Sequence, residues 1–403
     1  MSPTPVTFGL PTQPASYTWE ATDQEVAARY GIPIEQILRF DLNTSPEPPE
    51  FVAGILAAGA FDAPLSEYPP SDYGRLVETA SRVYGVATDE LLVGAGADEI
   101  LDLVGKAFLP SGGRAVVPVP TYAMYRVVTE QRGATAVLVP RLGAEEGYAL
   151  DIERTRAAVL DAEVVWLCSP NNPTGLPEPD GSIETLLDVI AVDAAVAGRT
   201  PAIVVLDEAY AEFVGASLVE LRHRHPNLVV VRTASKAYAL AGLRVGFAIA
   251  RPETIARIAP YRPPGSVSTI SVTVVTEALA DPRGMRANVA RVDAERDRLA
   301  TALGDAGWSV GPTVTNFILV DFGTIEGAAA VATGLLRRGL VPRTFGSGHP
   351  LANALRLTIR DEAGNDRLIA AARAINRELA AESGSPELEL PDAGPPEPDA
   401  VER

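Results

Sequence analysis

The spacing of apolar positions changes along the chain, and each change marks an element. Residues 23–30 carry a helical pattern that Gly31 and Pro33 stop. The stretch 46–70 is broken by prolines and reads as a crossing over the surface. Helices are expected over 73–84, ended by Gly85, and over 98–108, stopped by Pro110 and the Gly112-Gly113 pair. A rhythm then begins, with short β-branched runs at 114–118, 134–140, 163–168, 202–206, 228–232 and 244–250 alternating with helical stretches such as 183–197. Uninterrupted apolar strands separated by helices predict an α/β domain whose mostly parallel sheet is covered on both faces. After about Arg262 the texture changes. A long helical region over 271–303 carries arginines and acids on its polar side, and strands near 317–321 and 355–359 follow, with helices between and after them. This predicts a second, smaller α+β domain. The expected organisation is an arm at 1–49 that joins the small domain and a dimer, a large domain at 50–260, a small domain at 261–383, and a tail at 384–403. The tail holds six acids, one arginine and five prolines, too little apolar surface to offset its ordering entropy, so disorder is expected there. No internal repeat is visible.

Composition narrows the classes of function. A chain of 403 residues suits two or three compact units. Its 34 basic and 52 acidic residues leave a net charge of −18, which makes nucleic acid and anionic membranes poor partners. A single cysteine, Cys168, cannot form an internal disulfide, and three histidines (His223, His225, His349) leave little for a metal site; none is expected. The first residues lack a secretory pattern, and no run approaches the roughly 18 apolar residues of a membrane helix. A cytoplasmic enzyme or binding protein is the resulting expectation. Only two lysines occur, Lys106 and Lys236, in a chain whose other basic residues are arginine. A lysine amine forms an imine with an aldehyde and an arginine does not, so a surviving lysine invites attention.

In open parallel sheets ligands sit beyond the carboxyl ends of the strands. Three strands end in chemistry-bearing runs: Cys168-Ser169-Pro170-Asn171-Asn172-Pro173-Thr174-Gly175, then Asp207-Glu208-Ala209-Tyr210, then Arg232-Thr233-Ala234-Ser235-Lys236, with Arg244 eight residues later. A lysine can hold an aldehyde, a buried carboxylate can keep a pyridine nitrogen protonated, and an asparagine amide and a tyrosine hydroxyl can bond a ring phenolate. Hydroxyls, an arginine and the amides of a helix start can hold a phosphate. Together these describe a site for pyridoxal 5′-phosphate.

The run from about Tyr68 to Arg360 resembles the fold-type I, class I/II pyridoxal phosphate-dependent aminotransferases, and within them the histidinol-phosphate aminotransferases. Besides the strand-end runs, the matching pieces are Gly96-Ala97-Asp98-Glu99, Pro120-Thr121-Tyr122-Ala123-Met124-Tyr125 and Ala237-Tyr238-Ala239-Leu240-Ala241-Gly242-Leu243-Arg244-Val245-Gly246. The resemblance implies a fold-type I α/β transferase that moves an amino group between a small-molecule donor and a keto acid. It implies Lys236 as the cofactor-bearing, proton-shuttling lysine, Asp207 at the pyridine nitrogen, Tyr210 and Asn172 at the ring oxygen, and Tyr122 stacked on the ring. Backbone amides of Ala97 and Asp98, with Thr233, Ser235 and Arg244, would hold the cofactor phosphate. Tyr68 would reach the phosphate in a neighbouring subunit of a homodimer. On the substrate side the resemblance implies Arg356 as carboxylate anchor, Arg343 as contact to a substrate phosphate, and Asn43 within an Asn-Thr-Ser-Pro variant of the family's Asn-Glu-Asn-Pro run. It also implies Tyr17 as an N-terminal tyrosine covering the partner's site.

Three departures stand out: Asn43-Thr44-Ser45-Pro46, Pro264-Gly265-Ser266-Val267-Ser268 where the family has a Pro-Tyr-Asn-Val-Ser type stretch, and Arg360 where a glycine is usual. The first two bear on the substrate side chain. They keep open an aromatic amino acid aminotransferase and a threonine-phosphate decarboxylase-like lyase beside the expected exchange of histidinol phosphate and 2-oxoglutarate. Cys168 reads as a small buried filler, Lys106 as an exposed or snorkelling side chain, and His223-Arg224-His225 as a solvated helix end.

Overall fold

The computed structural model of the chain describes residues 15–383, so the expected tail from Gly384 lies outside the described residues. The first helix, Asp23–Tyr30, starts with a capping box: Thr22 Oγ1 accepts from the Glu25 amide at 3.2 Å, and the Glu25 carboxylate accepts from the Thr22 amide at 2.7 Å. Strand β1 (Leu38–Arg39) follows, and then the helix Phe51–Ala58. That helix lies inside the proline-broken stretch expected to cross the surface; its apolar run between Pro49 and Gly59 is long enough for two turns.

The large body is a seven-stranded sheet. Its strands are β2 (Leu91–Gly94), β3 (Arg114–Val119), β4 (Thr135–Pro140), β5 (Val164–Cys168), β6 (Ile203–Asp207), β7 (Leu228–Thr233) and β8 (Gly246–Ile249), in the order β2-β8-β7-β6-β5-β3-β4. Pairings from β7 through β4 are parallel, and β8 runs antiparallel to both its neighbours. Strand β2 is absent from the expected runs because it is only four residues long and ends in glycine.

Alternate residues of the parallel strands feed two separate cores. Val116, Val165, Leu167, Val204, Leu206 and Val230 pack on one face, and Val117, Trp166, Cys168, Val205, Val229 and Val231 on the other, under the helix Gly96–Phe108. Double-sided burial of this kind is why the strands read as continuous apolar runs rather than alternating ones.

The region 271–303 is two helices, Thr269–Ala280 and Arg283–Asp305, rather than one. Pro282 lacks the amide proton an uninterrupted helix needs and sits where the second begins. The first of the pair buries Val272, Val274, Val275, Ala278 and Leu279 in the core of the large body, past the expected boundary at residue 260. The arginines and most of the acids belong to the second.

The small body is an antiparallel sheet in the order β12-β10-β9, formed by β9 (Ser309–Val310), β10 (Phe317–Asp321) and β12 (Ala354–Thr358), with its own core of Leu299, Phe317, Ile318, Leu335, Leu357 and Leu368. The arm joins it through β1, which pairs parallel with β11 (Leu340–Val341), Leu38 opposite Leu340.

Candidate active site

Strand alternation decides which side chains reach the rim of the large sheet. β6 ends in Asp207 and β7 in Thr233, each two residues on from a member of the core beneath Gly96–Phe108. Their neighbours Glu208 and Arg232 turn to the opposite face, where they pair at 3.1 Å; Arg232 also binds Glu212 at 2.6 Å and stacks on Tyr84 at 5.0 Å.

Lys236 lies in the loop after β7. The side chain is half-buried, and its Nζ donates toward the carbonyls of Asn43 (3.3 Å) and Leu42 (3.4 Å) and stands 5.8 Å from the centre of the Tyr210 ring. Burial first, then the Arg356 cation, lowers its pKa to about 8. Asp207 is buried, and desolvation raises its carboxyl to about 6 against hydrogen bonds from the Tyr125 hydroxyl (2.8 Å, to Oδ2) and the Ala209 amide (3.0 Å, to Oδ1). No ion pair neutralises it among the described residues.

Tyr125 is the functional-site residue that the motif reading quoted without assigning it a task. It sits three positions after Tyr122 at the start of the helix Met124–Gln131, stacked on Trp166 (5.9 Å, 4° between planes) and edge-on to Tyr122. Thr129 accepts a 3.0 Å bond from the Trp166 indole and donates to the Tyr125 carbonyl at 2.7 Å, so the whole stack is fixed. Cys168 lies beside it; burial and the Asp207 charge push its thiol up to about 12, in keeping with a packing role.

An anion cradle adjoins the lysine. A Cβ on Gly246 would fall 2.4 Å from the Gly96 carbonyl carbon and 2.6 Å from the Ala97 nitrogen, so only glycine lets β8 press against the start of the helix Gly96–Phe108. Gly96, at φ +83°, is covered by the Arg244 guanidinium. The hydroxyls of Thr233 and Ser235 lie 2.9 Å apart on the same side. The Asp98 side chain ties this edge together, accepting from Tyr122 (3.0 Å) and Arg244 (3.1 Å).

The small body brings two arginines to this edge. Arg343 and Arg356 face each other across an antiparallel bridge, each amide donating to the other's carbonyl at 3.0 and 3.1 Å. Arg356 is buried; it donates to Asn172 Oδ1 at 2.6 Å and to the Asp41 carbonyl, while its Nε has no partner among the described residues. Asn43 links the arm to the centre, with Nδ2 donating to the Tyr210 hydroxyl at 3.0 Å and its amide to Thr358 Oγ1 at 2.9 Å. Asn171, the other half of the amide pair, is spent on the loop itself: it donates to Pro120 O and Thr174 and accepts from Thr121. A cavity of about 410 Å³ opens between Tyr122, Asn172, Arg343, Arg356 and Tyr17.

Two placements differ from expectation. Tyr17 lies against its own chain's site, 5.1 Å from the Arg343 guanidinium and 6.3 Å from the Tyr122 ring, because Thr18 and Glu20 anchor the segment to Arg343 and Thr344. His225 is buried rather than solvated, 3.7 Å from Asp188 with Nε2 lacking a hydrogen-bond partner among the described residues; His223 is exposed. Tyr68 does not join the cluster within the chain: it is 90% exposed, beside Gly265. Lys106, the second lysine, pairs with Asp102 at 2.6 Å on a helix surface.

A model of the family "Aminotransferase class I and II" matches residues 47–371. The chain belongs to the class I and II aminotransferases. The histidinol-phosphate aminotransferase of Roseiflexus castenholzii is 36% identical to this aminotransferase over 86% of the chain and 91% of that protein. A Thermoanaerobacter enzyme of the same name is 34% identical, covering 82% and 91%. Among solved structures, the histidinol-phosphate aminotransferase of Sinorhizobium meliloti in complex with pyridoxal-5′-phosphate superposes with a TM-score of 0.80 at 26% identity, covering 90% of this chain and 96% of that one. The residues of this aminotransferase suit such a group. Asp207, buried and with no ion pair among the described residues, could face a cationic ring nitrogen; the Lys236 amine stands near it, and amides, hydroxyls and a guanidinium converge where a phosphate would lie.

Proposed function

We propose that this aminotransferase uses pyridoxal 5′-phosphate to exchange the amino group of histidinol phosphate with 2-oxoglutarate. The observation that carries the reading is that Lys236 lies within electrostatic reach of Asp207, Arg244 and Arg356, and that Arg356 is bridged through its backbone to Arg343. Identity of 36% to a relative of that name over most of both chains supports it. Bound here, the cofactor would supply a ring that withdraws electrons from the substrate's α-carbon. Asp207 would hold the proton on the ring nitrogen. Tyr210 and Asn172 would bond the ring oxygen, Tyr122 would cover the ring face, and the Ala97 and Asp98 amides, Thr233, Ser235 and Arg244 would fix the phosphate. Lys236 would take the proton from the substrate α-carbon and return it across the same face, a task suited to an amine already lowered to about 8. Arg356 and Arg343 would hold the substrate's anionic end.

The working unit in this proposal is a cytoplasmic homodimer, because the exposed Tyr68 ring has a function only if it enters a second copy's phosphate cradle. Mixing inactive Tyr68→Phe and Lys236→Ala subunits should restore part of the activity; none after verified exchange would remove the shared site. For the reaction itself, candidate donors are added singly to cofactor-loaded protein while the visible absorbance is followed. Histidinol phosphate and glutamate should both discharge it. A response to phenylalanine but not to the phosphate ester would make the enzyme an aromatic aminotransferase. Carbon dioxide released from threonine phosphate would make it a decarboxylase.

A further inference from the structure

The cavity that holds Arg343 and Arg356 is also lined by an imidazole, His349, which the motifs do not mark. It sits in the loop between β11 and β12. Its Nδ1 accepts a 3.1 Å hydrogen bond from the backbone amide of Leu351. That bond fixes the tautomer: Nδ1 carries no proton, so the neutral ring carries its proton on Nε2. The ring plane is fixed as well, stacked on Phe345 at 4.7 Å and 16°. Nε2 makes no hydrogen bond within the described residues and is the free donor of the ring.

The charges around it are known. Arg343 faces it from the bridge; burial and that cation push the imidazole's pKa below its ordinary value, which favours the neutral form. Glu20, the acid of the cavity wall, is engaged elsewhere: it accepts from the Thr344 amide at 2.7 Å and hydroxyl at 2.9 Å, and lies 3.5 Å from Arg343. Arg343 is therefore partly satisfied by Glu20 and by the Thr18 carbonyl at 2.7 Å. The Nε2–H of His349 and the Nε of Arg356 are among the cavity's donors that have no hydrogen-bond partner among the described residues.

We propose that His349 is a specificity residue, its Nε2–H donating to a terminal oxygen of the phosphate monoester on the amino donor, beside Arg343 and Arg356. The inference rests on the proposed phosphate-bearing substrate. Its chemistry follows from counting acceptors. A carboxylate has two oxygens, which one guanidinium can engage as a pair. A phosphate monoester has three terminal oxygens and leaves one over for a further donor. A neutral donor adds that bond without deepening the positive field, so the glutamate that shares the cavity in the other half-reaction is not held more tightly.

The experiment compares both half-reactions on holoenzyme. His349→Ala should raise the KM for histidinol phosphate about ten-fold, as expected for one hydrogen bond to a charged group. The KM for glutamate should shift less than about two-fold. His349→Gln, whose amide nitrogen can stand where Nε2 stands, should recover most of the loss. An equal rise for both substrates, or none for the phosphate ester, would overturn the assignment. If wild-type enzyme does not turn over histidinol phosphate, the proposed function fails first, which keeps the two failures apart. A second measurement avoids substitution at the site. With only three histidines in the chain, their ring nitrogens are assignable by NMR from single replacements of His223 and His225. Inorganic phosphate added to holoenzyme should shift the His349 Nε2–H alone, and an unchanged resonance at saturating phosphate would refute the contact.

Discussion

Replacing Tyr125 with phenylalanine removes one hydroxyl and leaves the ring stacked on Trp166. In the cofactor-free protein that hydroxyl is one of two donors to Asp207, at 2.8 Å. Asp207 titrates at about 6 against an ordinary 3.8, so the folded protein holds that proton more tightly than the unfolded chain does. Stability therefore falls as pH rises from about 4 to about 6, by ~3 kcal/mol in all. A buried hydrogen bond to a charged group contributes about 1.5–3 kcal/mol, or roughly 1–2 pKa units. Losing it should carry the Asp207 midpoint from about 6 to roughly 7–8. The assay is 13C NMR of aspartate-labelled, cofactor-free protein, with the Asp207 carboxyl assigned by its loss in Asp207→Asn. The variant should also be destabilised more at pH 8 than at pH 5, since at pH 5 the carboxyl is largely protonated in both proteins. A midpoint within half a unit of wild type, or a lower one, would show that Tyr125 does not hold the anion, and the electrostatic account of Asp207 would have to be abandoned.

Three further outcomes follow from the same geometry. Covalent loading of cofactor onto the cofactor-free protein should accelerate with pH through a midpoint near 8, because Lys236 loses its proton there rather than near 10.5; a midpoint near 10 would contradict the burial argument. Arg356→Lys cannot keep the bonds to Asn172 and the Asp41 carbonyl while engaging a substrate anion, so the KM of both substrates should rise about 10–100-fold in half-reaction kinetics. Glu90→Ala removes the two-point partner that holds the Arg222 guanidinium at 2.8 and 3.1 Å, where the arginine side chain is 2% exposed, and leaves it the Val219 carbonyl and the more distant Glu220; a loss of about 3 kcal/mol in urea unfolding is expected, and an unchanged midpoint would count against a paired buried charge.

Much of this enzyme is legible in the amino-acid order, because the deciding forces there are local. Apolar runs buried on both faces specify parallel strands, and a strand end specifies which polar residues meet at the rim. Asp207, Thr233 and Lys236 could thus be placed on one site from spacing, with the resemblance supplying their tasks. Short or mixed elements escaped: Leu91–Gly94 has too few residues for a pattern, and Phe51–Ala58 hides between prolines. The break at Pro282 was readable, but the apolar run before it masked the change of helix.

What tertiary structure alone decided is who meets whom. Asn43 bonds Tyr210 across 167 residues, and Tyr125 bonds Asp207 across 82. Arg343 and Arg356 become neighbours only through the bridge between their backbones, and His349 acquires a defined donor only because the Leu351 amide claims its other nitrogen. Periodicity reports the environment of a residue among its covalent neighbours. Hydrogen bonds, desolvation and the shifts of Lys236 and Asp207 depend on distance through space, which is settled only when the two bodies and the arm pack together.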